Sequence, residues 1–94
     1  MSEWVRVVTF NATNDGIDEL VKMISESDGP PPGVDASRII VMGDRTAGRL
    51  AVAIRFPSQE AMQTGAAVLE AMDPPEGLTR DSVEELEVFL ERTA

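Results

Sequence analysis

Between Arg49 and Phe56 the chain alternates without a break, with Leu50, Val52, Ile54 and Phe56 at the even positions and Arg49, Ala51, Ala53 and Arg55 at the odd ones. Successive side chains of a β-strand point to opposite faces, so a period of two makes this segment a strand with one strongly apolar side. Such a side must be covered. The rest of the sequence has to supply both the neighbours of this strand and its cover.

Two neighbours are legible. Trp4-Val5-Arg6-Val7-Val8-Thr9-Phe10-Asn11 is rich in β-branched and aromatic residues and reads as a first strand. Ser37-Arg38-Ile39-Ile40-Val41-Met42 reads as a second, joined to the 49–56 strand as a hairpin by a turn containing Gly43, Asp44 and Gly48. The cover comes from two helices. Thr13-Asn14-Asp15-Gly16 is a cluster of capping residues, after which Ile17, Leu20, Val21 and Ile24 recur at helical spacing, while Asp18, Glu19, Lys22 and Glu26 take the opposite face. Asp28-Gly29-Pro30-Pro31-Pro32-Gly33 cannot continue that helix and reads as a stiff surface loop. Ser58, after Pro57, offers an N-cap for a second helix from about Gln59 to Met72, with Met62, Gly65, Ala66, Leu69 and Met72 along one side. It stops at Asp73-Pro74-Pro75-Glu76-Gly77. The last segment, Ser82 to Leu90, fits either period, and its glutamates favour a helix locally. A strand is expected, because a three-stranded sheet would leave the first strand as a bare edge.

Strand, helix, strand, strand, helix, strand is the split β-α-β order of a ferredoxin-like α+β fold. Right-handed crossovers give an antiparallel sheet in the order 4-1-3-2 with both helices on one face. Residues 1–94 are expected to form one such domain.

Composition narrows the chemistry. Eight basic against 17 acidic side chains give a net charge of −9, which repels nucleic acid and anionic membrane surfaces. There is no cysteine and no histidine. Disulfides, thiolate chemistry, histidine-ligated zinc or haem, and Ser-His or Cys-His hydrolysis are thereby excluded. No metal and no cofactor is expected. The N-terminus lacks the basic start and continuous apolar run of a secretory signal, so a cytoplasmic location away from membranes is expected. Gly43 and Gly48 have the spacing of a phosphate-binding loop, but Arg49-Leu50 stands where that loop needs Lys followed by Ser or Thr, and a strand follows. Asn11-Ala12-Thr13 matches a glycosylation sequon and reads as a strand end turning into a helix.

The two sheet faces carry the functional argument. Val5 and Val7 are expected to face the helices, leaving Trp4, Arg6, Val8 and Phe10 on the other side. Leu86, Val88 and Leu90 are likewise expected to face the helices, with Val83, Glu85, Glu87 and Phe89 turned away. A face carrying those aromatics is too apolar to lie bare in water, which predicts a twofold homodimer with two sheets facing each other. Arg6 would lie within reach of Glu85 or Glu87. The arginines and glutamates then form a structural ion-pair layer that fixes register, or Arg6 and Arg55 anchor an anionic ligand between the sheets, or Glu85 and Glu87 act as an acid/base couple.

The order of elements, Val5 to Asn11 leading into the first helix, the alternation of Arg49 to Phe56 followed by Pro57-Ser58-Gln59-Glu60-Ala61, and the closing Ser82 to Phe89 resemble the dimeric α/β barrel superfamily, and within it the antibiotic-biosynthesis-monooxygenase-like group. The resemblance implies a homodimer whose sheets form a barrel, often with the fourth strands reaching across. It also implies a cavity between each sheet and its helices or inside the barrel. Some members are cofactor-independent oxygenases of polyphenolic substrates, in which the deprotonated substrate itself reduces oxygen. Such members commonly hold and polarise the substrate with asparagine, tryptophan and arginine. Ligand-binding residues expected on this basis are Trp4, Arg6, Phe10, Asn11 and Arg55. Activities of relatives that rely on histidine are not expected here.

Two functions follow: a small homodimeric ligand-binding or accessory protein with no assigned reaction, or a cofactor-independent monooxygenase acting on a small aromatic or polyketide-like substrate, with Trp4, Arg6 and Arg55 lining the site. An oxygenase needs a closed, mostly apolar cavity of about 300 Å³ or more with a few converging polar groups. If Arg6 and Arg55 are fully occupied by glutamates and no such cavity exists, the enzyme reading fails; if they point into an open pocket, the binding-only reading weakens.

Overall fold

A computed structural model describes residues 2–94. Its elements are β1 (Trp4–Ala12), α1 (Asn14–Glu26), β2 (Arg38–Asp44), β3 (Arg49–Phe56), α2 (Gln59–Glu70) and β4 (Leu78–Glu87). The strands form an antiparallel sheet in the order β2-β3-β1-β4, which is the expected order read from its other edge. The closing segment is a strand, as expected, but it starts four residues earlier, at Leu78, and ends at Glu87 rather than Leu90.

Local chemistry sets the helix ends. Thr13 caps α1, its Oγ1 accepting from the Gly16 amide at 3.0 Å, and Ser58 caps α2, its Oγ accepting from the Ala61 amide at 3.1 Å. The far end of α2 is closed by Arg80, whose Nη2 donates to the carbonyls of Leu69 (3.2 Å) and Met72 (2.8 Å). In the β2–β3 turn, Asp44 Oδ1 accepts from the amides of Thr46 and Ala47, and Gly48 supplies the positive φ. None of the helices is long and apolar enough to cross a membrane, among the described residues.

The register between β1 and β3 overturns the expected assignment of faces. Arg6 pairs with Ile54, Val8 with Val52 and Phe10 with Leu50, and directly paired residues share a face. Trp4, Arg6, Val8 and Phe10 therefore face the helices, and Val5 and Val7 face away. Val8 and Phe10 join Leu50, Val52, Ile54, Phe56, Ile17 and Met62 in the core, with Trp4 packed against them. β4 is reversed with it: Val83, Glu85 and Glu87 pair with Val8, Arg6 and Trp4 on the helix side, while Leu86 pairs with Val5 on the other. The reason is that β1 is apolar on both sides, so its own alternation cannot choose. Burying a tryptophan, a phenylalanine and a valine removes more apolar area from water than burying two valines.

The open face is apolar all the same. It carries Val5, Val7 and Thr9 from β1, Ala51 and Ala53 from β3, Ile40 and Met42 from β2, and Leu86 together with the polar Ser82 and Glu84 from β4. Ile40, Met42 and Leu86 are each about half exposed. No aromatic residue of the strands lies on it.

Candidate functional site

The five residues expected to bind a ligand do not converge. Trp4, Arg6 and Phe10 lie on the helix side of β1, whereas Asn11 and Arg55 lie on the open side of the sheet. Phe10 is a core residue. Asn11 is exposed, its Oδ1 accepting from Arg49 Nη1 at 3.4 Å. Trp4 stands at the start of β1, opposite Phe56 and Glu87.

Arg6 is only 3% exposed. Its register neighbour in β4 is Glu85, but its ion pair is with Glu70 at the end of α2, Nη2 to Oε1 at 3.3 Å. Its Nε has no hydrogen-bond partner among the described residues. The expected pairing with Glu85 or Glu87 is thus replaced by one mostly exposed carboxylate from the helix, although both of those glutamates lie on the same side of the sheet as Arg6.

Arg55 is neutralised within its own chain. Its Nε donates to Glu3 Oε2 at 2.7 Å and its Nη2 pairs with both Glu3 and Glu91. The hydrogen bonds that Arg55 donates to Glu91 and then to Glu3 raise its pKa further, and the bond to Glu91 holds that carboxyl below its ordinary range. Arg49 is likewise paired with Asp81 at 3.1 Å. Asp81 is the extra residue at a β-bulge, where pairing with β1 passes from Thr9–Ser82 to Phe10–Arg80. Of the acids that meet these arginines, the sequence pattern pointed to none: Glu3, Glu70 and Glu91 lie outside the strands, and Asp81 is placed by the bulge.

A half-enclosed cavity of about 350 Å³ opens elsewhere, between the end of α1, α2 and the β2–β3 half of the sheet. Ile24, Val34, Ala36, Ile39, Ile54 and Leu69 give it apolar walls, and Ser27, Asp28, Ser37 and Arg38 stand at its polar side. The two serine hydroxyls are already donors, Ser27 to the Ile24 carbonyl at 2.8 Å and Ser37 to the Arg55 carbonyl at 3.2 Å. None of Trp4, Arg6, Phe10, Asn11 or Arg55 contributes to the wall. The residues that sequence reasoning missed here are Val34 and Ala36. They follow the triple proline at alternate positions, and that spacing of small apolar residues was the available signal for a loop folded inward. Among the described residues, no cluster of acidic side chains is grouped to hold a metal ion.

The architecture defines a class, the four-stranded antiparallel α+β sandwich with both helices on one side. Solved structures specify it further. A protein from Chloroflexus aurantiacus J-10-fl, provisionally named an antibiotic biosynthesis monooxygenase, has the same fold at a TM-score of 0.63 and 16% identity, over 98% of each chain. A similarly named protein from Bacillus cereus gives 0.62 at 17% identity over 100% of both chains. Rv0793 from Mycobacterium tuberculosis gives 0.56 at 17% identity, over 98% of this chain and 100% of its own. No protein-family model and no curated protein matches the sequence. The chain therefore has the fold of these provisionally named antibiotic biosynthesis monooxygenases, which is the fold that the sequence resemblance implied.

Proposed function

We propose that the protein is a homodimeric binding protein whose protomers each hold a small apolar molecule between the helices and the sheet. The observation that carries this reading is the cavity of about 350 Å³ walled by aliphatic side chains. Its size is that of a small-ligand pocket, and its apolar walls gain free energy by exchanging water for ligand. The oxygenase alternative required Trp4, Arg6 and Arg55 to meet the substrate. All three stand outside the wall, and both arginines are engaged by glutamates. Binding without an assigned reaction is accordingly the better-supported reading.

The test is a titration with 1-naphthol, a neutral bicyclic probe, followed by methyl NMR. Saturable shifts are expected at Ile24, Val34, Ile39, Ile54 and Leu69. Ala36→Phe fills the cavity from its wall and is expected to weaken binding by about tenfold without lowering the melting temperature. Saturation shifts elsewhere, or an unaffected Ala36→Phe variant, would overturn the reading.

The homodimer rests on the open face. Aliphatic side chains on four adjacent strands, three of them half in water, form a patch of the kind that marks an interface. Two copies related by a twofold axis cover one another's patch with the same residues. Sedimentation equilibrium is expected to give a dimer, and Ile40→Asp, which places a charge at the patch, a folded monomer.

A further inference from the structure

We infer that the ligand of this cavity carries a protonated amine: its apolar body lies against the aliphatic walls, and a primary ammonium group meets the polar side at the end of α1. The inference rests on the binding function proposed above and adds to it the charge of the ligand.

The side chains at the polar side have lone pairs to offer and no protons. A hydroxyl has one hydrogen and two lone pairs. Ser27 Oγ directs its hydrogen to the Ile24 carbonyl at 2.8 Å and Ser37 Oγ to the Arg55 carbonyl at 3.2 Å, so each oxygen is left as an acceptor. Asp28 adds a carboxylate, which accepts only, and it takes part in no ion pair among the described residues. Pro30 and Pro31, further along the same wall, have no amide hydrogen. Arg38 is a donor by type but is turned elsewhere. It pairs in register with Arg55, which pairs with Val5, so its side chain leaves β2 on the open side of the sheet.

The helix adds a field of the same sign. α1 ends at the cavity, with Ile24 in its last turn and Ser27 as its C-cap. The carbonyls at a helix C-terminus carry a partial negative charge, which Lys, Arg or His in the last turn ordinarily offsets. α1 has no basic residue there. α2 shows the contrast, since Arg80 closes its end by donating to the carbonyls of Leu69 and Met72. At α1 the Ser27 amide and hydroxyl both go to the one carbonyl of Ile24. An ammonium seated between Asp28 and this helix end does for α1 what Arg80 does for α2, and brings three donors to the acceptors around it. A carboxylate or phenolate meets Asp28 and the helix end with like charge and has no proton for either serine oxygen. The net charge of −9 acts in the same direction at longer range, drawing cations towards the protein.

The experiment compares three probes that share one bicyclic body: 1-naphthylmethylamine, 1-naphthylmethanol and 1-naphthoic acid, which are cationic, neutral and anionic at neutral pH. Each is titrated into the intact chain and followed at the cavity methyls of Ile24, Val34 and Leu69. The amine is expected to bind about tenfold more tightly than the alcohol, and the acid about tenfold more weakly. Asp28→Asn is expected to bring the amine to within about threefold of the alcohol, whose own affinity stays unchanged. Glu19→Gln removes an equal charge from the exposed face of α1, away from the cavity, and is expected to leave the preference intact. Tightest binding by the acid or the alcohol overturns the ammonium reading and leaves the cavity standing as a binding site. An amine preference that Asp28→Asn does not reduce, or that Glu19→Gln reduces equally, also overturns it, because the preference then belongs to the overall charge. Absence of saturable shifts at these methyls with all three probes overturns the binding function itself.

Discussion

Arg6 shows what one residue can do to a reading. A charge in the middle of β1 marks a solvent-facing position by ordinary pattern logic, yet Arg6 lies on the same side of the sheet as the core residues Val8 and Phe10. The structure buries the guanidinium against α2 with a single carboxylate partner and leaves Nε without one. Buried ion pairs seldom recover the cost of desolvation, and an orphan donor adds to it. Arg6→Met, which keeps the volume and removes the charge, is expected to leave stability unchanged or to raise it by about 1–2 kcal/mol in urea denaturation. A loss above about 1 kcal/mol would show that Arg6 holds more than Glu70. Gly65 gives the opposite kind of residue effect. A methyl added there would stand 2.7 Å from Phe56 Cε1, and Phe56 is wholly buried with no room to yield. Alanine gains about 1 kcal/mol of helix propensity, but overpacking costs about 1–3 kcal/mol. Gly65→Ala is therefore expected to be destabilising by about 1 kcal/mol, measurable in the same assay.

At the scale of elements, the sequence spoke clearly wherever a segment had one apolar side. β3 runs from Arg49 to Phe56 as read, Ser58 is the expected N-cap of α2, and the N-cap of α1, Thr13, comes from the expected cluster of capping residues. β4 was harder, because an edge strand pairs on one side only and its positions from Thr79 to Leu86 stay exposed. Little in Leu78-Thr79-Arg80-Asp81 advertises a strand, yet it pairs with Phe10, Asn11 and Ala12 around the bulge. Gly77 was legible only as a helix stop. It also clasps the start of α1: its carbonyl accepts from the Thr13 amide at 2.9 Å, and its backbone lies against Gly16. With φ at +91° and Thr13 Oγ1 in the way of any side chain, Gly77→Ala is expected to cost about 2–3 kcal/mol, against about 1 kcal/mol for loss of the cap in Thr13→Ala. Thermal unfolding of the two variants distinguishes them. The Arg55–Glu91 contact, which ties the segment after β4 to β3, responds to pH. Arg55 lowers the Glu91 pKa from its ordinary 4.5, first through their hydrogen bond and then through its charge. A depressed carboxylate pKa means that the latch is complete above the unfolded value and is lost as pH falls through the folded one. The Glu91 carboxyl carbon is accordingly expected to titrate at lower pH in the intact chain than in Arg55→Gln, and the Val88 amide to exchange faster once Glu91 is protonated.

For the whole molecule, what the sequence could not show is how its charges are shared. An ion-pair layer between two sheets was a reasonable expectation from arginines and glutamates at alternate strand positions. It depends on those charges lacking partners at home. Arg49 has Asp81, Arg55 has Glu3 and Glu91, and Arg6 has Glu70 on the far side of the sheet. The cavity was hidden for a related reason: most of its wall comes from residues 24–39, but Ile54 of β3 and Leu69 of α2 close it, and the stretch 24–39 alone does not show them meeting. With the arginines satisfied, the surface two protomers would share is largely aliphatic with the acidic Glu84 on its β4 edge, and the electrostatics of pairing reduce to two acidic bodies of net charge −9 approaching each other. Salt screens that repulsion, since the Debye length falls from about 20 Å at 20 mM to about 4 Å at 500 mM. It does little to the burial of Ile40, Met42 and Leu86. Raising sodium chloride over that range is therefore expected to tighten the dimer by about five- to tenfold in sedimentation equilibrium. A cross-sheet ion-pair layer predicts the opposite sign, so a dimer that loosens with salt would show that the arginines leave their own glutamates to bind the partner.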